Sequence, residues 1–68
     1  MKQYKPEEIK RFLLKRGREE THQKGSHCYL YNPETKKITT IPMHTKDLKI
    51  GTLMAILRQT GFTKEDLE

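Results

Sequence analysis

Residues 18–42, REETHQKGSHCYLYNPETKKITTIP, decide how this chain folds. Thr, Tyr and Ile become frequent here, and two turn signals, Lys24-Gly25-Ser26 and Asn32-Pro33-Glu34, divide the stretch into three short segments. Short segments rich in β-branched and aromatic residues and bounded by Gly, Pro and Asn form strands, so the stretch reads as a three-stranded antiparallel meander. Alternation along the middle strand sends Cys28 and Leu30 to one face and His27, Tyr29 and Tyr31 to the other. The first strand, Arg18 to Gln23, holds no large apolar residue and belongs at a sheet edge, as its least stable part.

The flanks on both sides change to helical spacing. Upstream, Pro6 with Glu7 and Glu8 marks a helix start, because proline has no N–H to lose at the first helical position and carboxylates complement the positive dipole end. That helix runs to Gly17, with Ile9, Phe12 and Leu13 on one inward stripe, Arg11 and Lys15 outward, and Glu7 spaced to pair with Arg11. Downstream, a loop from Met43 to Lys49 leads into a second helix from Ile50 to Thr60, with Leu53, Ile56 and Leu57 inward and Gly61 as its stop. Thr63 followed by Asp66 caps a last short turn, Thr63 to Leu67. Helix, three strands, helix predicts an α+β sandwich in which both helices cover one face of the three-stranded antiparallel sheet and leave the other open.

A chain of 68 residues makes one domain, 1–68, with no linker and a thin margin of stability. Its 14 Lys and Arg against 9 Asp and Glu give a formal net charge of +5. Ten of the basic residues lie between Lys10 and Lys49 against four acids, a local excess of six. Such a field attracts phosphate backbones without reading base sequence, and equally serves solubility. The single Cys28 excludes an internal disulfide and fits a reducing compartment. The sequence opens on no charged-then-apolar leader and carries no apolar run near the roughly 18 residues of a membrane span, so the expected location is the cytoplasm.

Among residues able to do chemistry, His27 comes first, since it follows the Lys24-Gly25-Ser26 turn and faces the open side. Imidazole both takes and gives a proton near neutral pH. Gly25 supplies the positive φ or close backbone approach that a hairpin tip beside a phosphate requires. A two-residue turn of Lys24 and Gly25 sets His22 across from His27, whereas a three-residue turn sets Gln23 there and sends His22 to the other face; glycine's fit at the second central position favours the first. Lys46 and Lys49 precede the second helix, whose free N–H groups already favour an anion, and with Lys24 they form a candidate phosphate clamp. A zinc site from His22, His27, Cys28 and His44 is discounted: neighbouring strand residues point to opposite faces, and no CxxC or HxxxH spacing occurs. No glycine-rich nucleotide loop or GxSxG elbow is present, and no cofactor is expected.

Four ordered segments then carry a resemblance: Gln23-Lys24-Gly25-Ser26-His27; Tyr31-Asn32-Pro33; Ile41-Pro42-Met43-His44; and residues 46–62, KDLKIGTLMAILRQTGF. Together they resemble the HicA toxin family over nearly the whole chain. The resemblance implies a fold similar to the double-stranded-RNA-binding domain and mRNA cleavage with the turn histidine, His27, as the essential residue. It also implies a HicB antitoxin partner that blocks the active site and represses the shared operon, so that DNA is met only through the complex. The first strand departs from the family, with Arg18-Glu19-Glu20-Thr21 where aromatic and apolar residues are common, and Cys28 stands where a second histidine is frequent.

The expected mechanism is metal-independent: the RNA's own 2′-OH is the nucleophile, His27 moves the proton, and Lys24, Lys46 and Lys49 stabilise the phosphorane. Gly25 and Ser26 shape the tip, and Tyr29 or Tyr31 offers a stacking surface for an unpaired base. Leu14 and Met54, outside the inward stripes, are assigned to the antitoxin contact. The alternative from another class is a non-catalytic RNA-binding module, which fold and charge support equally and which leaves no new RNA ends. A DNA-binding regulator is disfavoured, since the second helix offers little beyond Met54 and Arg58 to read bases.

Overall fold

Pro6 opens the first helix, α1 (Pro6–Lys15), at the position where a missing N–H goes unnoticed. One turn later the Glu8 carboxylate accepts a hydrogen bond from the Lys5 backbone N–H at 2.9 Å, closing half of a capping box. The structure, a computed structural model, describes residues 3–67. Three strands follow, β1 (Glu19–Lys24), β2 (His27–Asn32) and β3 (Lys37–Pro42), then the helix α2 (Ile50–Thr60) and a single terminal turn, α3 (Lys64–Leu67). The strand order is β1-β2-β3 with both pairs antiparallel, so the polar first strand lies at an edge and β2 is central.

Alternation along β2 buries Cys28 and Leu30 and leaves His27 exposed with Tyr29 and Tyr31 half-buried on the opposite face. The buried pair meets Ile9 and Leu13 of α1, Ile41 of β3 and the Leu53, Ile56 and Leu57 stripe of α2 in one core cluster, so both helices cover the same face of the sheet. Phe12 sits at the margin of that core rather than within it, its ring edge-on to Phe62 with centroids 5.1 Å apart. Gly61 ends α2 in the left-handed conformation, φ +81°, and Thr63 caps α3 through a backbone N–H bond to Asp66 Oδ2 of 2.8 Å. Among the described residues no helix is long and apolar enough to cross a membrane.

The first hairpin differs from both turns the sequence suggests. Its two central residues are Gly25 and Ser26, and Lys24 pairs directly with His27. Gly25 has φ +58°. Glycine at the first central position is the type II′ arrangement, whereas a Lys24-Gly25 turn of type I′ would force a positive φ on a residue with a side chain. His22 therefore pairs with Tyr29, not with His27.

A bulge between Glu20 and His22 then adds Thr21 as an extra residue, so two positions that would share a face are split. His22 joins the open face, while Glu20 turns toward the helices. The Thr21 hydroxyl fixes the bulge by donating to the Tyr29 carbonyl at 3.3 Å.

The same bulge explains how a strand without apolar residues is held. Glu20 pairs with Lys10 of α1 at 3.1 Å and accepts a hydrogen bond from the Cys28 thiol at 3.5 Å. This is the ion pair found among the described residues, in place of the Glu7 to Arg11 pair that helical spacing suggests. At the strand's start the Arg18 guanidinium donates to the Thr60 carbonyl at 2.7 Å and lies over the Phe62 ring, 4.6 Å from its centroid. Polar clamps thus do for β1 what side-chain burial does for β2 and β3.

The hydrogen bond from Lys10 holds the Glu20 carboxyl below the usual carboxylate range, and the same bond raises Lys10. Burial, with the nearby Glu20 carboxylate, pushes the Cys28 thiol up. A lowered carboxylate contributes stability that is complete above the ordinary carboxylate range and disappears as pH falls through the lowered value. Glu20→Gln therefore has a lower urea midpoint than the native chain at neutral pH, by a small margin for so exposed a pair. The two midpoints converge as pH falls through the lowered value of the native carboxyl, which is then itself protonated.

Candidate functional site

Three cross-strand rows make up the open face. At the hairpin tip lie Lys24, His27 and Pro42; in the middle His22, Tyr29 and Thr40; at the far end Glu19, Tyr31 and Ile38. On this face the tip row carries the Lys24 ammonium and the far row the Glu19 carboxylate. In the middle row the His22 and Tyr29 rings stack with centroids 4.4 Å apart and planes 13° from parallel. That pair and Tyr31 beyond it form an aromatic strip leading away from the tip.

The loop after β3 completes the site. Pro42 pairs with His27, and the next N–H, that of Met43, donates to the Ser26 carbonyl at 2.6 Å, so the chain stays attached to the turn for one residue past the strand. Alternation persists across this step: Pro42 lies on the open face, Met43 packs against the core, and His44 turns outward again. The His27 and His44 rings come to 6.4 Å between centroids, tilted by 57°. A second tether, the Leu48 N–H donating to the Tyr4 carbonyl at 2.8 Å, holds the far end of the loop against the N-terminal segment.

Of the site residues expected from the sequence, the fold brings Lys24, Gly25, Ser26 and His27 together at the tip, with Tyr29 one row away. Lys46 and Lys49 lie on the loop that carries His44. Lys46 lines a shallow hollow with Lys5, Pro6, Glu7, Met43 and Thr45, and Lys49 is the extended residue before the first turn of α2. Leu14, 41% exposed, and Met54, 38% exposed, line separate hollows on α1 and α2.

His44 was the residue that sequence reasoning did not connect to the site. The signal was present, since a hairpin with Asn32 and Lys37 as its closing pair matches His27 with Pro42 and leaves His44 just beyond. What pattern alone did not give is the path of the loop, which the Met43 and Leu48 backbone bonds determine.

A small basic helix-sheet-helix protein whose uncovered sheet face presents a histidine at a hairpin tip is thus defined by fold and site together. Residues 6–62 match the family described as HicA toxin of bacterial toxin-antitoxin, and the chain belongs to that family. It is the toxin of a toxin–antitoxin system, and its partner is an antitoxin. No curated protein matches the chain.

Proposed function

We propose that this toxin is a metal-independent endoribonuclease that cleaves mRNA in the cytoplasm and is neutralised by a HicB-type antitoxin. The observation that supports it most is an exposed imidazole, His27, paired across the hairpin with the ammonium-bearing Lys24. RNA brings its own nucleophile. The 2′-OH loses a proton and attacks the adjacent phosphorus, the bond to O5′ breaks, and the products are a 2′,3′-cyclic phosphate and a 5′-hydroxyl.

Such a reaction asks the protein for proton transfer and for cations at the developing phosphorane charge. His27 supplies the first. Lys24 supplies the second at the tip, while Lys46 and Lys49 act on flanking phosphates of the same strand. Gly25 and Ser26 keep the tip narrow enough for a backbone to approach. Tyr29, stacked on His22, receives an unpaired base next to the cleaved linkage. Leu14 and Met54 provide apolar contacts for the antitoxin, and DNA is engaged only through that complex.

Incubating the purified chain with end-labelled RNA tests the reading. Cleavage proceeds equally with and without a chelator, and the products carry a cyclic phosphate and a 5′-hydroxyl. Chelator-abolished activity, a 5′-phosphate on the downstream product, or salt-sensitive binding with no new RNA ends overturns it, the last in favour of a non-catalytic RNA-binding module.

A further inference from the structure

We infer that His44 is the second proton-transfer residue of the site, acting with His27 on opposite sides of one phosphate; the inference rests on the nuclease reading above. Transesterification needs two proton movements at atoms roughly in line through phosphorus: one proton leaves the 2′-oxygen and one arrives on the 5′-oxygen. A single ring would have to serve both sides. Two rings with centroids 6.4 Å apart are too distant to hydrogen-bond each other, yet close enough that one phosphate lying across both reaches each ring with a bond of about 2.8 Å.

The surroundings favour His44 over the other histidine. His22 stands a full row from the tip and is engaged by its stack on Tyr29. His44 is held over the tip by the Met43 to Ser26 backbone bond, one residue away, and its own ring is exposed. The charged group facing the pair from the sheet is Lys24, positioned for the phosphate's non-bridging oxygens. Protons balance without water: the neutral ring of the pair accepts the 2′-OH proton, the protonated ring donates to the departing 5′-oxygen, and the pair ends with its proton on the other partner.

His44→Gln and His27→Gln are compared with the native chain on an RNA cut at one linkage, and on the same RNA with sulfur replacing the bridging 5′-oxygen there. Sulfur leaves without needing a proton. The expected result for His44→Gln is a kcat loss of about 10²–10⁴-fold with little change in KM, and loss of one limb of a bell-shaped pH profile. Restoration by the sulfur substrate in His44→Gln makes His44 the acid, and restoration in His27→Gln makes it the base; either supports the pair. Retention of cleavage within about fivefold, or a loss confined to KM with both pH limbs intact, overturns the inference while leaving the nuclease reading standing. A native chain that leaves RNA whole removes both.

Discussion

His27→Ala loses RNA cleavage by about 10²–10⁴-fold, the usual worth of a positioned proton-transfer group, and keeps its fold. The fold survives because the ring is exposed on the uncovered face and the core lies on the other side of β2. Surface substitutions of that kind stay within about 0.5 kcal/mol. Circular dichroism and the urea midpoint of the variant therefore match those of the native chain while single-turnover cleavage collapses. His22→Ala serves as the comparison, because it removes an imidazole from the same face but from the next row. Its effect falls on base stacking and is smaller, about 1–3 kcal/mol of binding. Equal losses from the two variants, or His27→Ala cleaving at more than about a tenth of the native rate, would remove His27 from the chemistry.

Much of this arrangement could be read from residue order alone, and what escaped has a common cause. The inward Cys28 and Leu30, the stripe of Leu53, Ile56 and Leu57, and the stops at Gly17 and Gly61 follow from periodicity and local backbone preference, which act within a few residues. Hairpin register does not. It turned on whether Gly25 takes the first or second central position, a choice set by the φ that Lys24 would otherwise have to adopt. The bulge at Thr21 is equally silent in the pattern, since β1 has no apolar alternation to reveal a slipped face. The turn misplaces His22 by one row, and the bulge hides that Glu20 turns toward the helices. The 43–49 loop is fixed by contacts to Ser26 and Tyr4, residues distant in sequence, and no local signal reports such tethers.

Leu30→Ala has the largest expected effect on the molecule as a whole. Leu30 is completely buried on the central strand, between the two helices' apolar stripes, so truncation removes contacts that neither helix can recover without shifting. Such a deletion costs about 2–5 kcal/mol through lost transfer energy and the cavity left behind. At about 0.05–0.15 kcal/mol per residue a domain of this size has roughly 3–10 kcal/mol in total, so the variant is partly unfolded at ambient temperature or melts about 10–30 °C lower. Ile38→Ala, on the open face at 57% exposure, shifts the thermal midpoint far less, although it deletes the same number of side-chain carbons. The contrast bears on the site as well as on stability. Leu30 and His27 occupy opposite faces of one strand, so the packing that anchors β2 also fixes where the hairpin tip stands relative to the His44 loop. Any Leu30→Ala molecules that remain folded should therefore cleave RNA more slowly than their folded fraction accounts for. Activity per folded molecule equal to the native value, measured below the variant's melting range, would show that the tip holds its geometry independently of the core beneath it.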